Sequence, residues 1–246
     1  MLSARLSPLM RSAGLRLLAA SSVSMSSAAA IARPDSIKLY YGDMPFWRAE
    51  VVRIGLFIGD VPFEDVRDKK RDELIADGKL TFGAVPVLEV DGKILSQTQA
   101  MAVYAAKLAG LQPRDPWDEA KVDEAINGCT DVTTTIGATF RLPDDEKIPA
   151  RTALIGEGGR LAMHLGGLEK ICVENGACGH VAGNSLTVGD LAVWRLVGWL
   201  TSGVIDGIPN DYVPSTFPAL ATLVQTVDAN TKVQEWKAKY PRFYSK

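Results

Sequence analysis

The chain has 246 residues, 47% of them hydrophobic and 23% charged, with 27 basic against 29 acidic side chains and a formal charge of −2. That length holds one large domain or two modest ones and can bury a real core, which excludes disorder as a description of the whole chain. A near-neutral balance removes the electrostatic ground for nucleic acid as a partner. The best apolar stretch, Leu191 to Leu200, is only ten residues long and contains Arg195, so no membrane span is expected.

Residues 1–33 stand apart, with four Arg, eight Ser, eight Ala and no Asp or Glu. This is the composition of an organellar transit peptide, which points to a mitochondrion or plastid. The alternative is an unconstrained tail, or an upstream start with Met25 as the initiator, and then the protein is cytoplasmic. Three cysteines, Cys129, Cys172 and Cys178, are an odd number with none in the first half, which argues for a reducing compartment and against a disulfide framework.

From Ile37 the pattern alternates: Ile37, Leu39 and Tyr41 share one face, Lys38 and Tyr40 the other, as in a short strand. Pro45-Phe46-Trp47 reads as a turn. Val51, Ile54 and Ile58 then recur at helical spacing until Gly59. Phe63 to Arg67 reads as a second strand, followed by a charged connection, Asp68 to Lys79, that is open between coil and helix. Val85 to Val90, Asp91-Gly92 and Lys93 to Leu95 form a hairpin, its Asp-Gly suited to a turn with positive φ. Gln97-Thr98 opens a helix with Met101, Tyr104, Ala105 and Leu108 inward and Gly110 as its stop.

This order, βαβ then ββα, is a thioredoxin-like layout over residues 34–111. Residues 112–116 make a linker, and 117–246 read as an all-helical domain with helices near 117–139, 147–174, 187–203 and 217–239, the last one broken. Thr187 and Asp190 are spaced as a capping box, a structural device. Gly156-Glu157-Gly158-Gly159 completes no dinucleotide fingerprint, because Leu161 stands where the third glycine belongs and no strand precedes it. Cys172, Cys178 and His180 lack a zinc spacing and a fourth ligand, so no metal is expected.

Four strings carry a family resemblance: Lys38-Leu-Tyr-Tyr41 with Arg48-Ala-Glu50; Phe82-Gly-Ala-Val-Pro86 running to Gly92; Ser96-Gln97-Thr98; and Gly183-Asn-Ser-Leu-Thr187-Val-Gly-Asp190. In this order and spacing the chain from about Ile37 resembles the soluble glutathione transferases, most closely the sigma-like class that includes glutathione-dependent prostaglandin D isomerases and lens S-crystallins. The thioredoxin-like half has no cysteine, so any thiolate must arrive on a ligand, and the resemblance makes that ligand glutathione.

The resemblance implies a catalytic role for Tyr41, whose hydroxyl would donate to the glutathione sulfur. A free thiol titrates near about 8.5, and a charge-assisted hydrogen bond is worth roughly 1.5–3 kcal/mol, or about one to two pKa units. Tyr40 is the competing tyrosine. Glutathione would be bound by Ala84 and Val85 beside a cis Pro86, by Gln97 and Thr98 at a helix N-terminus, by Arg48 beside the tyrosine, and by Asp131 reaching the neighbouring subunit of a homodimer. The second substrate would be a small hydrophobic electrophile in a pocket made of the Tyr41 loop, the helix around Thr134 to Phe140, and Phe243-Tyr244.

Two departures stand out. Glu73 and Asp77 occupy positions where relatives place a Trp and a Lys against the glycyl end of glutathione. The loop after Tyr41 is one residue longer than usual. The implied activity is glutathione conjugation. A glutathione-dependent isomerase or peroxidase acting on lipid peroxides, and a non-catalytic module of the S-crystallin kind, remain alternatives.

Overall fold

The computed structural model describes residues 32–244. All of the proposed leader except Ala32 and Arg33 lies outside them. Four strands, β1 (Ile37–Tyr40), β2 (Glu64–Val66), β3 (Val87–Val90) and β4 (Lys93–Ser96), form one sheet in the order β2-β1-β3-β4. β1 runs parallel to β2 and antiparallel to β3, and β3 pairs antiparallel with β4. The parallel pair needs a crossover, and α1 (Trp47–Ile58) supplies it. Asp91 and Gly92 sit at φ 48° and 77°, the geometry a two-residue hairpin turn requires.

Period-two alternation assigns the two sheet faces. Leu39 pairs with Leu88 and belongs to the main core with α1 and α3 (Thr98–Ala109), whereas Tyr40 pairs with Val87 and packs on Leu74. Leu74 belongs to α2 (Arg71–Ala76), which resolves the charged connection as a short helix with one buried residue. α1 and α3 cross closely at Gly59, where a Cβ would lie 2.4 Å from the Ala109 Cα. Gly110 ends α3 in the left-handed conformation at φ 74°.

The second half is helical: α4 (Pro116–Thr139), α5 (Asp144–Ile155), α6 (Arg160–Glu174), α7 (Val188–Leu200), α8 (Tyr212–Thr216), α9 (Pro218–Asp228), α10 (Thr231–Lys239) and α11 (Pro241–Tyr244). Pro116 belongs to the helix rather than to the linker. Proline suits the first helical position, and the Asp115 carboxylate caps that end by accepting from the N–H groups of Trp117 and Asp118. The single helix expected over 147–174 is two. At Gly159 a Cβ would lie 2.3 Å from the Leu154 carbonyl oxygen, so the chain folds back on itself there.

α7 is buried nearly all round and packs against α1, α4 and α9, which explains its uninterrupted apolar run. Its N-terminus carries the full capping box: Thr187 Oγ1 accepts from the Asp190 N–H, and the Asp190 carboxylate accepts from the Thr187 N–H at 2.7 Å. Among the described residues no helix is long and apolar enough to cross a membrane.

Candidate functional site

The adjacent tyrosines have opposite environments. Tyr40 points to the α2 face, where its hydroxyl donates to Glu89 Oε2 at 2.9 Å and Lys79 also pairs with Glu89. Burial first and the Glu89 carboxylate second push its phenol up. Tyr41 lies one residue past β1 on the main-core side, and its N–H donates to the Val66 carbonyl at 3.2 Å. Among the described residues its hydroxyl has no hydrogen-bond partner. Burial pushes the Tyr41 phenol up, against Arg48 and Arg53, which pull it down; the net direction is upward, so the group keeps its proton at neutral pH and can donate.

Beside it lies a polar cleft of about 360 Å³. Arg48, Ala84, Val85, Pro86, Gln97 and Thr98, drawn from three separate stretches of sequence, all line it. The Val85–Pro86 bond is cis. Val85 precedes β3, and among the described residues its main-chain N–H and C=O have no partner, so an extended peptide could pair with them. Gln97 stands at φ 72°, ψ 124°, a conformation rare for a residue with a side chain. It turns the chain so that the first residues of α3, Thr98 and Gln99, present the helix N-terminus to the cleft, a ready site for a carboxylate. Asn127 and Thr130 of α4 complete the wall, and no sequence motif marks them.

A second cleft, of about 670 Å³ and mainly apolar, shares Arg48 with the first. Tyr41, Met44 and Phe46 form one wall, residues between Thr133 and Arg141 another, and Trp199 the end. Trp199 meets the Phe46 ring edge-on at 5.1 Å between centroids. The tyrosine loop and the end of α4 are where the sequence places them. Phe243 and Tyr244 are not: they line a separate cavity behind α7, because the Tyr244 hydroxyl is drawn to the buried Glu50 carboxylate at 2.6 Å. Trp199 takes their place, coming from an otherwise buried helix.

A main-chain edge and a helix N-terminus around one polar cleft, with a donor tyrosine in the apolar cleft that adjoins it at Arg48, fit a thiol peptide, and comparison with known proteins bears on this directly. Residues 37–107 match the model of the glutathione S-transferase N-terminal domain, and residues 130–240 that of the C-terminal domain. Mouse glutathione S-transferase A3 is 33% identical over 168 residues, covering 66% of this chain and 75% of the mouse protein. The chain belongs to the glutathione S-transferases.

A glutathione S-transferase of Anopheles gambiae is 29% identical over 213 residues, 85% of this chain and 98% of its own. Among solved structures, prostaglandin synthase D of Nilaparvata lugens superposes with a TM-score of 0.70 at 28% identity, covering 84% of this chain and 98% of its own. Both fit the sigma-like resemblance. Within this transferase the sequence-marked acids, Glu73 and Asp77, lie outside the polar cleft, and Asp77 is paired with Lys69. Asp131 is also outside it, exposed on α4 one residue beyond Thr130. Among the described residues no group of three His, Cys, Asp or Glu could hold a metal ion.

Proposed function

We propose that this transferase binds glutathione along the Val85–Pro86 edge and the N-terminus of α3, and that Tyr41 donates a hydrogen bond to the sulfur. The bond favours the thiolate, which attacks a hydrophobic electrophile held in the Phe46–Trp199 cleft. One observation carries this reading: an unpartnered phenol hydroxyl, kept protonated by burial, opens on the apolar cleft that adjoins the polar one at Arg48.

The test is ultraviolet titration of the thiolate of bound glutathione in the wild type and in Tyr41→Phe. Loss of the bond raises the thiol pKa by about one to two units and lowers the neutral-pH thiolate band correspondingly. Equal bands refute the role.

The likeness to a prostaglandin synthase supports a second reading, isomerisation of a lipid peroxide by the same thiolate. Turnover of a lipid endoperoxide that exceeds turnover of an activated aromatic halide decides for it. Neither activity, with no retention on immobilised glutathione, indicates a non-catalytic module. The reading also takes the protein as a homodimer in which Asp131 serves the partner's glutathione. Phe82, 65% exposed at the rim of the polar cleft, supports this as a contact side chain, and light scattering after size exclusion checks it. Residues 1–33 are proposed as an organellar leader, for which a reporter fusion is the test.

A further inference from the structure

The loop joining Tyr41 to Arg48 is held from behind by side chains. Three of its carbonyl oxygens point inward. Arg53, fully buried on α1, donates to Gly42 O at 3.2 Å and to Met44 O at 3.0 Å. Arg195 of α7 donates to Pro45 O at 2.7 Å. Arg67 adds a bond to Asp43 at 2.9 Å, and the loop makes few backbone bonds of its own, so these guanidinium groups together hold the loop, and with it Tyr41 at one end and Met44 and Phe46 along the apolar cleft.

The Arg53 and Arg195 guanidinium groups are both backed by one residue from the far end of the chain. Arg53 Nη1 lies 3.1 Å from Glu50 Oε2, and the other oxygen of that buried carboxylate accepts from the Tyr244 hydroxyl at 2.6 Å and from Trp236 Nε1 at 2.7 Å. Arg195 lies over the Tyr244 ring, 5.3 Å from its centroid, and that ring stacks on Trp194 at 6.0 Å. Two residues earlier, Arg242 reaches Asp43 in the loop itself at 2.7 Å. α11 therefore lies across the back of the loop as a strap, although it touches neither the polar nor the apolar cleft.

We propose that Tyr244 is a positioning residue for glutathione activation: its hydroxyl orients Glu50 and hence Arg53, its ring supports Arg195, and the two arms together set the loop that presents Tyr41 to the sulfur. The proposal rests on the role given to Tyr41 above. A displacement of about 1 Å in a reacting group can cost orders of magnitude in rate, so a residue remote from the substrate has leverage through the loop. Burial keeps the Tyr244 phenol protonated, as a donor to Glu50 must be.

The experiment is the thiolate titration of bound glutathione in the full-length protein, with steady-state kinetics and thermal melts on the same preparations. Tyr244→Phe removes the hydroxyl and keeps the ring; Tyr244→Ala removes both arms. The expected neutral-pH thiolate band falls about threefold in the first and about tenfold in the second, with kcat falling more than the electrophile KM rises. Leu165→Ala, which opens a hole in the core under α6, an element that carries none of these groups, lowers the Tm and leaves the titration where it was.

A wild-type titration in Tyr244→Phe overturns the proposal whatever its Tm, and so does an equal shift in Leu165→Ala. Tyr41→Phe, run alongside, separates the two ideas. If it shifts the titration while Tyr244→Phe does not, only the strap fails; if Tyr41→Phe shifts nothing, the role of Tyr41 fails and the strap with it.

Discussion

The two clefts that meet at Arg48 are assembled from different materials. The polar one combines backbone features, the Val85 edge, the turn at Gln97 and the N-terminus of α3, with polar residues such as Thr98 and Asn127. The apolar one rests on large side chains, with Met44 and Phe46 from a loop, Phe140 from the end of α4 and Trp199 from α7. Backbone geometry belongs to the fold and changes slowly as side chains vary. A wall of side chains can be altered one residue at a time. The glutathione half of the site is thus tied to the architecture, whereas the electrophile half is free to differ from one transferase to the next.

Substitutions at, on either side of, and away from the seam test this division. Arg48→Ala strikes the group common to both clefts and is expected to have the largest effect, roughly a tenfold to hundredfold fall in kcat/KM for either substrate, the worth of a charged hydrogen bond. A fall confined to one substrate would break the idea of a shared wall. Thr98→Val removes one donor from the polar cleft. About a fivefold to tenfold rise in the glutathione KM is expected, with the KM for an activated aromatic halide unchanged.

Trp199→Ala is the mirror image. A rise of about threefold in the halide KM, in line with the loss of one aromatic contact, should leave the glutathione KM alone. Thr187→Ala lies outside both clefts; it should lower stability by about 1 kcal/mol by denaturant melt and leave both KM values unchanged.

A smaller effect at the same cap depends on pH. His180 Nδ1 lies 3.1 Å from Asp190 Oδ2, and this bond, against the opposing effect of burial, raises the imidazole pKa. A folded-state pKa above the unfolded one means the pair adds stability in full below the ordinary imidazole range, and that stability disappears as pH rises through the raised value. His180→Gln should therefore lower the Tm more near about pH 5.5 than near about pH 8.5. The opposite order would mean that His180 is held neutral.

What could be read from the sequence follows the same division. Asp91-Gly92, Gly110, and the Thr187 and Asp190 cap are local devices whose geometry depends on the residues themselves, and each stands where its chemistry predicts. Of the seven residues that the resemblance assigns to glutathione, Arg48, Ala84, Val85, Pro86, Gln97 and Thr98 line the polar cleft and Asp131 does not. Trp199, Asn127 and Thr130 carry no such signal, since only the packing of α7 and α4 against the sheet brings them to the site. Phe243 and Tyr244, expected in the apolar cleft, lie outside it. The buried carboxylate of Glu50, 194 residues earlier in the chain, takes the Tyr244 hydroxyl instead. The break between α5 and α6 was hidden because the spacing of apolar residues continues across Gly156 to Gly159 while the backbone does not.

The inward carbonyls of Gly42, Met44 and Pro45 also bear on protein engineering. Transplanting the shorter loop of a relative into this scaffold would strip carbonyl acceptors from Arg53 and Arg195 and leave buried N–H groups of these side chains without partners. A working graft must therefore carry the loop, both arginines and the tail from Pro241 to Tyr244 together, as one exchangeable cassette.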